Sequence, residues 1–138
     1  MTPWPLSVAF PLTLLGSIVL VVGFAALGAW FAREHPPFKY RNLWPVQLGL
    51  YVVIGFIAMF TLLDLRLVEA VGAITGLVEA TLGWKITWSM GPGRIPDTTP
   101  MSIGVAILSM TAFGFGLAIA GALIFNAVAG ALLRAHGG

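Results

Sequence analysis

Residues 64–88 read D-L-R-L-V-E-A-V-G-A-I-T-G-L-V-E-A-T-L-G-W-K-I-T-W, and the architecture of the chain turns on whether this stretch crosses a bilayer or lies on one. Five charged residues, Asp64, Arg66, Glu69, Glu79 and Lys85, are scattered through otherwise apolar sequence. Leu67, Val71, Ile74, Val78 and Leu82 recur at steps of three and four, and Glu69, Gly72, Gly76, Glu79 and Gly83 form a second stripe at the same steps. One side of the helix is greasy, and the other is acidic and small. As a membrane span, the stretch would carry Glu79 deep into hydrocarbon at a cost of about 3 kcal/mol. The cheaper arrangement is an interfacial helix over about 66–88, with its greasy side in the acyl boundary and Trp84 and Trp88 at headgroup level. Its other face lacks the Lys/Arg-rich stripe of a lipid-seeking anchor, which leaves the glycine and glutamate stripe to pack on a neighbouring protein or to be solvated.

Outward from this stretch the chain is almost free of charge. All twelve charged residues fall in three short windows, and the tracts 1–32, 42–63 and 98–133 contain none, so that 90 of 138 residues are formally uncharged. Runs of about 20 apolar residues match a hydrocarbon core roughly 30 Å thick. With 59% hydrophobic and 9% charged residues and a mean hydropathy of +0.98, the composition is that of a lipid-embedded protein. The pI near 9.5 rests on an excess of only two positive charges, which offers no basic patch for nucleic acid. The absence of cysteine excludes disulfides, thiolate metal sites and iron–sulfur clusters.

The pattern gives three spans, at about 11–31, 44–63 and 101–125, the last with a helical extension to 133. Leu12 to Leu27 lacks the positively charged leader of a secretory signal and reads as an uncleaved first helix. Pro3, Pro5 and Pro11 confine its regular part to the residues after them, because proline interrupts an interior ladder. The 33–42 segment, R-E-H-P-P-F-K-Y-R-N, breaks the helix and carries three positive charges against one negative, which places it in the cytoplasm and the amino terminus outside. Trp44-Pro45 opens the second span, whose one strongly polar side chain is Gln47. The turn-rich 90–100 segment is a loop, and Thr99-Pro100 begins the last helix. The fold class expected is all-α: a polytopic membrane protein with three transmembrane helices plus one amphipathic interfacial helix, forming a single membrane domain over 1–138. The carboxyl terminus would be cytoplasmic, with Arg33, Lys39, Arg41 and Arg134 inside and Arg66, Lys85 and Arg94 outside.

The last span carries the most specific packing signal. Ala112-Gly116-Ala120 and Gly114-Ala118-Ala122 are small-residue rows at four-residue steps, joined by Gly121, and Asn126 lies beyond them. In lipid, close backbone approach at small side chains drives helix association. These residues, with Asn126 as hydrogen-bonding glue, are the expected helix-packing interface, toward either the protein's own first helix or another chain.

Catalytic chemistry finds no footing. His35 and His136 lie in interfacial or tail segments, Glu69 and Glu79 stand about 15 Å apart along a helix, and Ser17, Ser102 and Ser109 have no histidine poised beside them. The expectation is no catalytic, cofactor-binding or metal-binding residue, no cofactor and no enzyme activity. The expected partners are the lipid bilayer and other integral-membrane subunits, with a homo-oligomer also compatible and nucleic acid excluded. Function is then a non-catalytic subunit or stabilising factor of a larger membrane complex, an energy-converting one being an example. The alternative is a small oligomeric channel or transporter, which is weaker because the three spans contain no ionisable residue.

The closing stretch 121–138, G-A-L-I-F-N-A-V-A-G-A-L-L-R-A-H-G-G, resembles the end of small uncharacterised prokaryotic multi-pass membrane proteins, in which an aromatic-Asn pair precedes an apolar run ending in Gly-Gly. The resemblance implies a prokaryotic inner-membrane setting and carries no activity with it.

Overall fold

A computed structural model describes residues 4–35, 40–83, 85, 86, 89 and 100–137, and among them there is no strand. Helix α1 covers Leu6–Glu34, a 3-10 turn covers Tyr40–Leu43, and α2 covers Trp44–Leu62. Helix α3 covers Leu65–Val78 and continues as a π-helical turn over Glu79–Gly83, and α4 covers Pro100–Gly137. Three of these, α1, α2 and α4, are long and apolar enough to cross a membrane.

The helix starts depart modestly from expectation, for a local reason. α1 begins before Pro11 because the Pro5 carbonyl accepts from the N–H groups of both Val8 and Ala9 at 2.9 Å, closing a first turn upstream. Pro11 then sits inside the helix, where its ring removes one ladder bond near an end that can spare it. α2 starts at Trp44 with Pro45 in its first turn, as the sequence indicates. The headgroup positions expected for Trp84 and Trp88, and most of the 90–100 loop, lie outside the described residues.

The connection from α2 to α3 fixes how the bundle closes. Leu63 takes up a left-handed conformation (φ 53°, ψ 23°) and donates its N–H to Met59 O at 2.9 Å, ending α2. Asp64 then caps α3, its carboxylate accepting from the Arg66 N–H at 2.9 Å. Two residues leave no room for a lateral exit, so α3 returns alongside α2. Because a left-handed leucine costs about 1–2 kcal/mol and Leu63 is 45% exposed, Leu63→Gly is expected to raise the unfolding free energy by about 0.5–1 kcal/mol after the entropic cost of glycine. Denaturant titration in detergent micelles measures it.

Close glycine contacts bind α3 and α2 to α4. A methyl group added at Gly72 would overlap the Gly114 carbonyl, and one added at Gly114 would overlap Gly72 in return. Gly76 faces the Met110 carbonyl in the same way, so α3 and α4 run antiparallel. Gly55 lies against the Ala118 backbone and Gly121 against the backbone of Val52 and Phe56, and because Trp44 meets Phe113 while Phe60, farther along α2, meets Phe125, α2 and α4 run parallel. Phe125 meets Phe56 and Phe60 edge-on at 5.3 and 6.0 Å, extending that seam toward the end of α2. Helix α1 joins at its Thr13 hydroxyl, 3.1 Å from that of Thr61, and runs antiparallel to α2. The four helices thus alternate in direction, with Tyr51, Ile54, Ala58, Val68, Val71, Ala118 and Ala122 in the core.

Two features of the packing bear on the expectations from sequence. The stripe Gly72, Gly76, Glu79 and Gly83 is buried on the protein's own helices, neither solvated nor free for a neighbour, while Glu69 is half-buried. The physical reason is the two-residue turn, which docks α3 before it can spread on a surface. The second concerns the bundle alone: the start of α1 and the end of α4 lie at the same end of it, since Thr13 touches Thr61 and Phe60 touches Phe125.

Candidate functional site

Among the described residues Glu79 is the one charged side chain held in the interior, with no exposed surface at all. It opens the π-helical turn Glu79–Gly83, a local widening that interrupts the regular ladder and that recurs at functional sites. Its backbone N–H is shared between the carbonyls of Thr75 and Gly76. Room for the side chain comes from its small neighbours. A Gly83 side chain would stand 3.2 Å from Glu79 Cγ and 3.9 Å from the Ala25 methyl of α1.

Tyr51 is the partner. It too is fully buried, and its hydroxyl donates to Glu79 Oε2. Among the described residues the other carboxyl oxygen, Oε1, has no hydrogen-bond partner, and neither has Oγ1 of the fully buried Thr75, one turn earlier on the same face of α3. Two orphaned oxygens therefore accompany a bonded one in an apolar setting, where an unmet polar group costs about 1–3 kcal/mol. Gln47, one turn before Tyr51 on the same face of α2, is also buried.

The outer surface of α3 is the reverse of a water-soluble helix. Ile74, Leu77 and Leu82 are exposed, while Thr75, Gly76 and Glu79 point inward. Leu12, Val19, Leu27, Val53, Leu108 and Leu123 give the rest of the bundle the same apolar exterior.

The residues singled out in the sequence divide between inside and outside. Gly114, Ala118, Gly121 and Ala122 are buried in the seams with α2 and α3, so one small-residue row of α4 is used internally, together with Gly121. Ala112 and Gly116 face outward, Ala120 is half-buried, and Asn126 is exposed. Of the two partners expected for these rows, the first helix or another chain, neither takes the Gly114-Ala118-Ala122 row, which docks on α2 and α3. His35 stacks on Phe31 with Nδ1 3.1 Å from the Phe31 carbonyl, and His136 Nδ1 lies 2.9 Å from the Leu132 carbonyl. Both are exposed and engaged with their own helices. Ser17 donates to Thr13 O at 2.8 Å, and Ser109 is exposed. Among the described residues no group of three or more His, Cys, Asp or Glu side chains could hold a metal ion. Tyr51 is invisible to a sequence reading because a single tyrosine in a charge-free span has no spacing signal; its place one turn after Gln47 is the available hint.

Compared with known proteins, the chain matches no family model, no curated protein and no solved structure.

Proposed function

We propose that this chain is a small integral-membrane protein of four membrane-embedded helices, acting as a non-catalytic subunit or stabilising factor of a larger membrane assembly. Its inside-out α3, with a carboxyl at the core and leucines at the surface, supports embedding, because ionisable side chains within lipid face the interior of a bundle. Charge supports the orientation. With α3 as a fourth crossing, Arg33, Lys39, Arg41, Lys85 and Arg94 share one side and Arg66 and Arg134 the other. That is five against two, where three spans give four against three, and it places the 33–43 and 84–99 connections in the cytoplasm and both chain ends outside.

The observation that carries the assembly reading is the outward row on α4. Ala112 and Gly116 stand open, with nothing within 4 Å of a methyl group placed on the glycine, and Ala120 follows them half-buried. In lipid such a row gains by approaching a partner backbone. α4 also runs 38 residues, about 57 Å, and so overhangs the 19 residues of α2. Purification from native membranes in mild detergent is expected to bring down larger subunits with the wild type, and Gly116→Val is expected to lose them while keeping the monomer folded. Recovery of the chain as a lone monomer in the wild type contradicts the reading.

A small channel or transporter is the second reading, favoured by Glu79. The interior does hold an ionisable residue, which removes the objection drawn from the three spans alone. Solute or ion flux in liposomes containing the purified chain alone would favour it over the first.

A further inference from the structure

Among the described residues Glu79 has no counter-ion. The charged and titratable groups on every element packed around it can be named: α2 offers Tyr51 alone, and the α1 segment 6–32 and the α4 segment 100–133 carry no charge. On α3 itself Glu69 lies almost three turns earlier and Lys85 follows the π turn in an exposed position. A naked carboxylate buried this way would cost many kcal/mol, so the site has to hold a cation or a hydrogen ion. The oxygen count decides which. Hard metal cations take six or more oxygen ligands, whereas the described residues offer two unpartnered buried side-chain oxygens, Glu79 Oε1 and Thr75 Oγ1, beside the tyrosine already engaged on Oε2, and no second carboxylate. A hydrogen ion needs one.

The surroundings are asymmetric along the bundle. Toward the Trp44 end, Tyr51 is followed one turn away by a second buried polar side chain, Gln47. Toward the Leu63 end, the next inward residues of α3 beyond Thr75 are Gly72, closed against the Gly114 backbone, and then Val71 and Val68, both fully buried. We propose that Glu79 is a hydrogen-ion-binding site inside the bundle, exchanging through Tyr51 and Gln47 with the compartment facing the 33–43 connection and sealed from the opposite compartment by Val71 and Val68. Binding converts the Glu79 carboxylate to a carboxylic acid, with Oε1 taking the proton from a hydronium ion that arrives on the Gln47 side and leaves as water, and release returns the proton to water as hydronium.

A lipophilic carbodiimide, which reacts with protonated carboxyl groups, tests this on the full-length protein in liposomes, with adducts mapped by mass spectrometry. The expected result is an adduct on Glu79, several-fold above that on Glu69, whose yield falls several-fold as the bath facing the 33–43 connection is made alkaline and is unmoved by the opposite bath. Infrared spectra of the wild type and of Glu79→Gln give a second readout: the carboxylic-acid carbonyl band that titrates in the wild type should vanish in the variant. Two outcomes overturn the proposal: no adduct on Glu79 in a folded wild type, or an adduct and band indifferent to pH on either side. The first would make Glu79 inaccessible to exchange, and the second would leave it a permanent hydrogen-bonding group.

Discussion

Gly114→Val is expected to unseat α3 from α4 and to lower stability in detergent by about 3 kcal/mol or more, because overfilling a packed interface costs about 1–3 kcal/mol even where neighbours can move. Here the neighbour is the Gly72 carbonyl, which belongs to a helix backbone and cannot yield without displacing all of α3. Gly72→Val should do the same from the opposite side. Gly116→Val, two residues further along the same helix, meets nothing within 4 Å and should change monomer stability by less than about 0.5 kcal/mol. Thermal or denaturant unfolding of the three variants in one detergent checks the contrast. Equal loss in Gly114→Val and Gly116→Val would mean that helix propensity rather than the α3–α4 contact sets the result.

The second large effect lies in the buried pair. Tyr51→Phe leaves both oxygens of Glu79 without partners, and Glu79→Leu leaves the tyrosine hydroxyl stranded, so each is expected to cost about 1–3 kcal/mol. The double variant removes both ends of the hydrogen bond and should cost clearly less than the two singles combined. A double-mutant cycle reads this as a coupling energy of about 1 kcal/mol or more. Additive costs would show that Tyr51 and Glu79 are buried side by side without depending on each other. Glu79→Gln keeps an acceptor for Tyr51 and should fall well below Glu79→Leu in its effect.

Much of this architecture is legible in residue order. The charge-free tracts give α1, α2 and α4 directly, and the four-residue steps of glycine and alanine in α4 mark a helix that others approach closely. The paired stripes of α3 are legible as well, but their direction is not. Hydrophobicity assigns the leucine stripe to a greasy medium and the glycine and glutamate stripe to a different one; it does not distinguish water from the inside of a bundle. What settles the matter is Leu63 and Asp64, a left-handed residue and a capping carboxylate whose two-residue turn sends α3 back along α2. Leucine is an unusual occupant of that conformation, so no turn signal of the Asn-Gly kind announces it. The carboxyl site is hidden for a related reason. Tyr51 and Glu79 are 28 positions apart and meet only once the turn has closed.

The placement of α3 within the bundle is tested most directly by sidedness, since a fourth crossing reverses the location of everything after it. The chain has no native cysteine, so single cysteines at Tyr40, Ser89 and Ala135 can be probed with a membrane-impermeant thiol reagent on intact cells and on inverted vesicles. With α3 docked along α2 and α4, positions 40 and 89 are labelled from one side of the membrane and position 135 from the other. Labelling of 40 and 135 from the same side, with 89 opposite, would place α3 on the membrane surface and contradict a four-helix crossing.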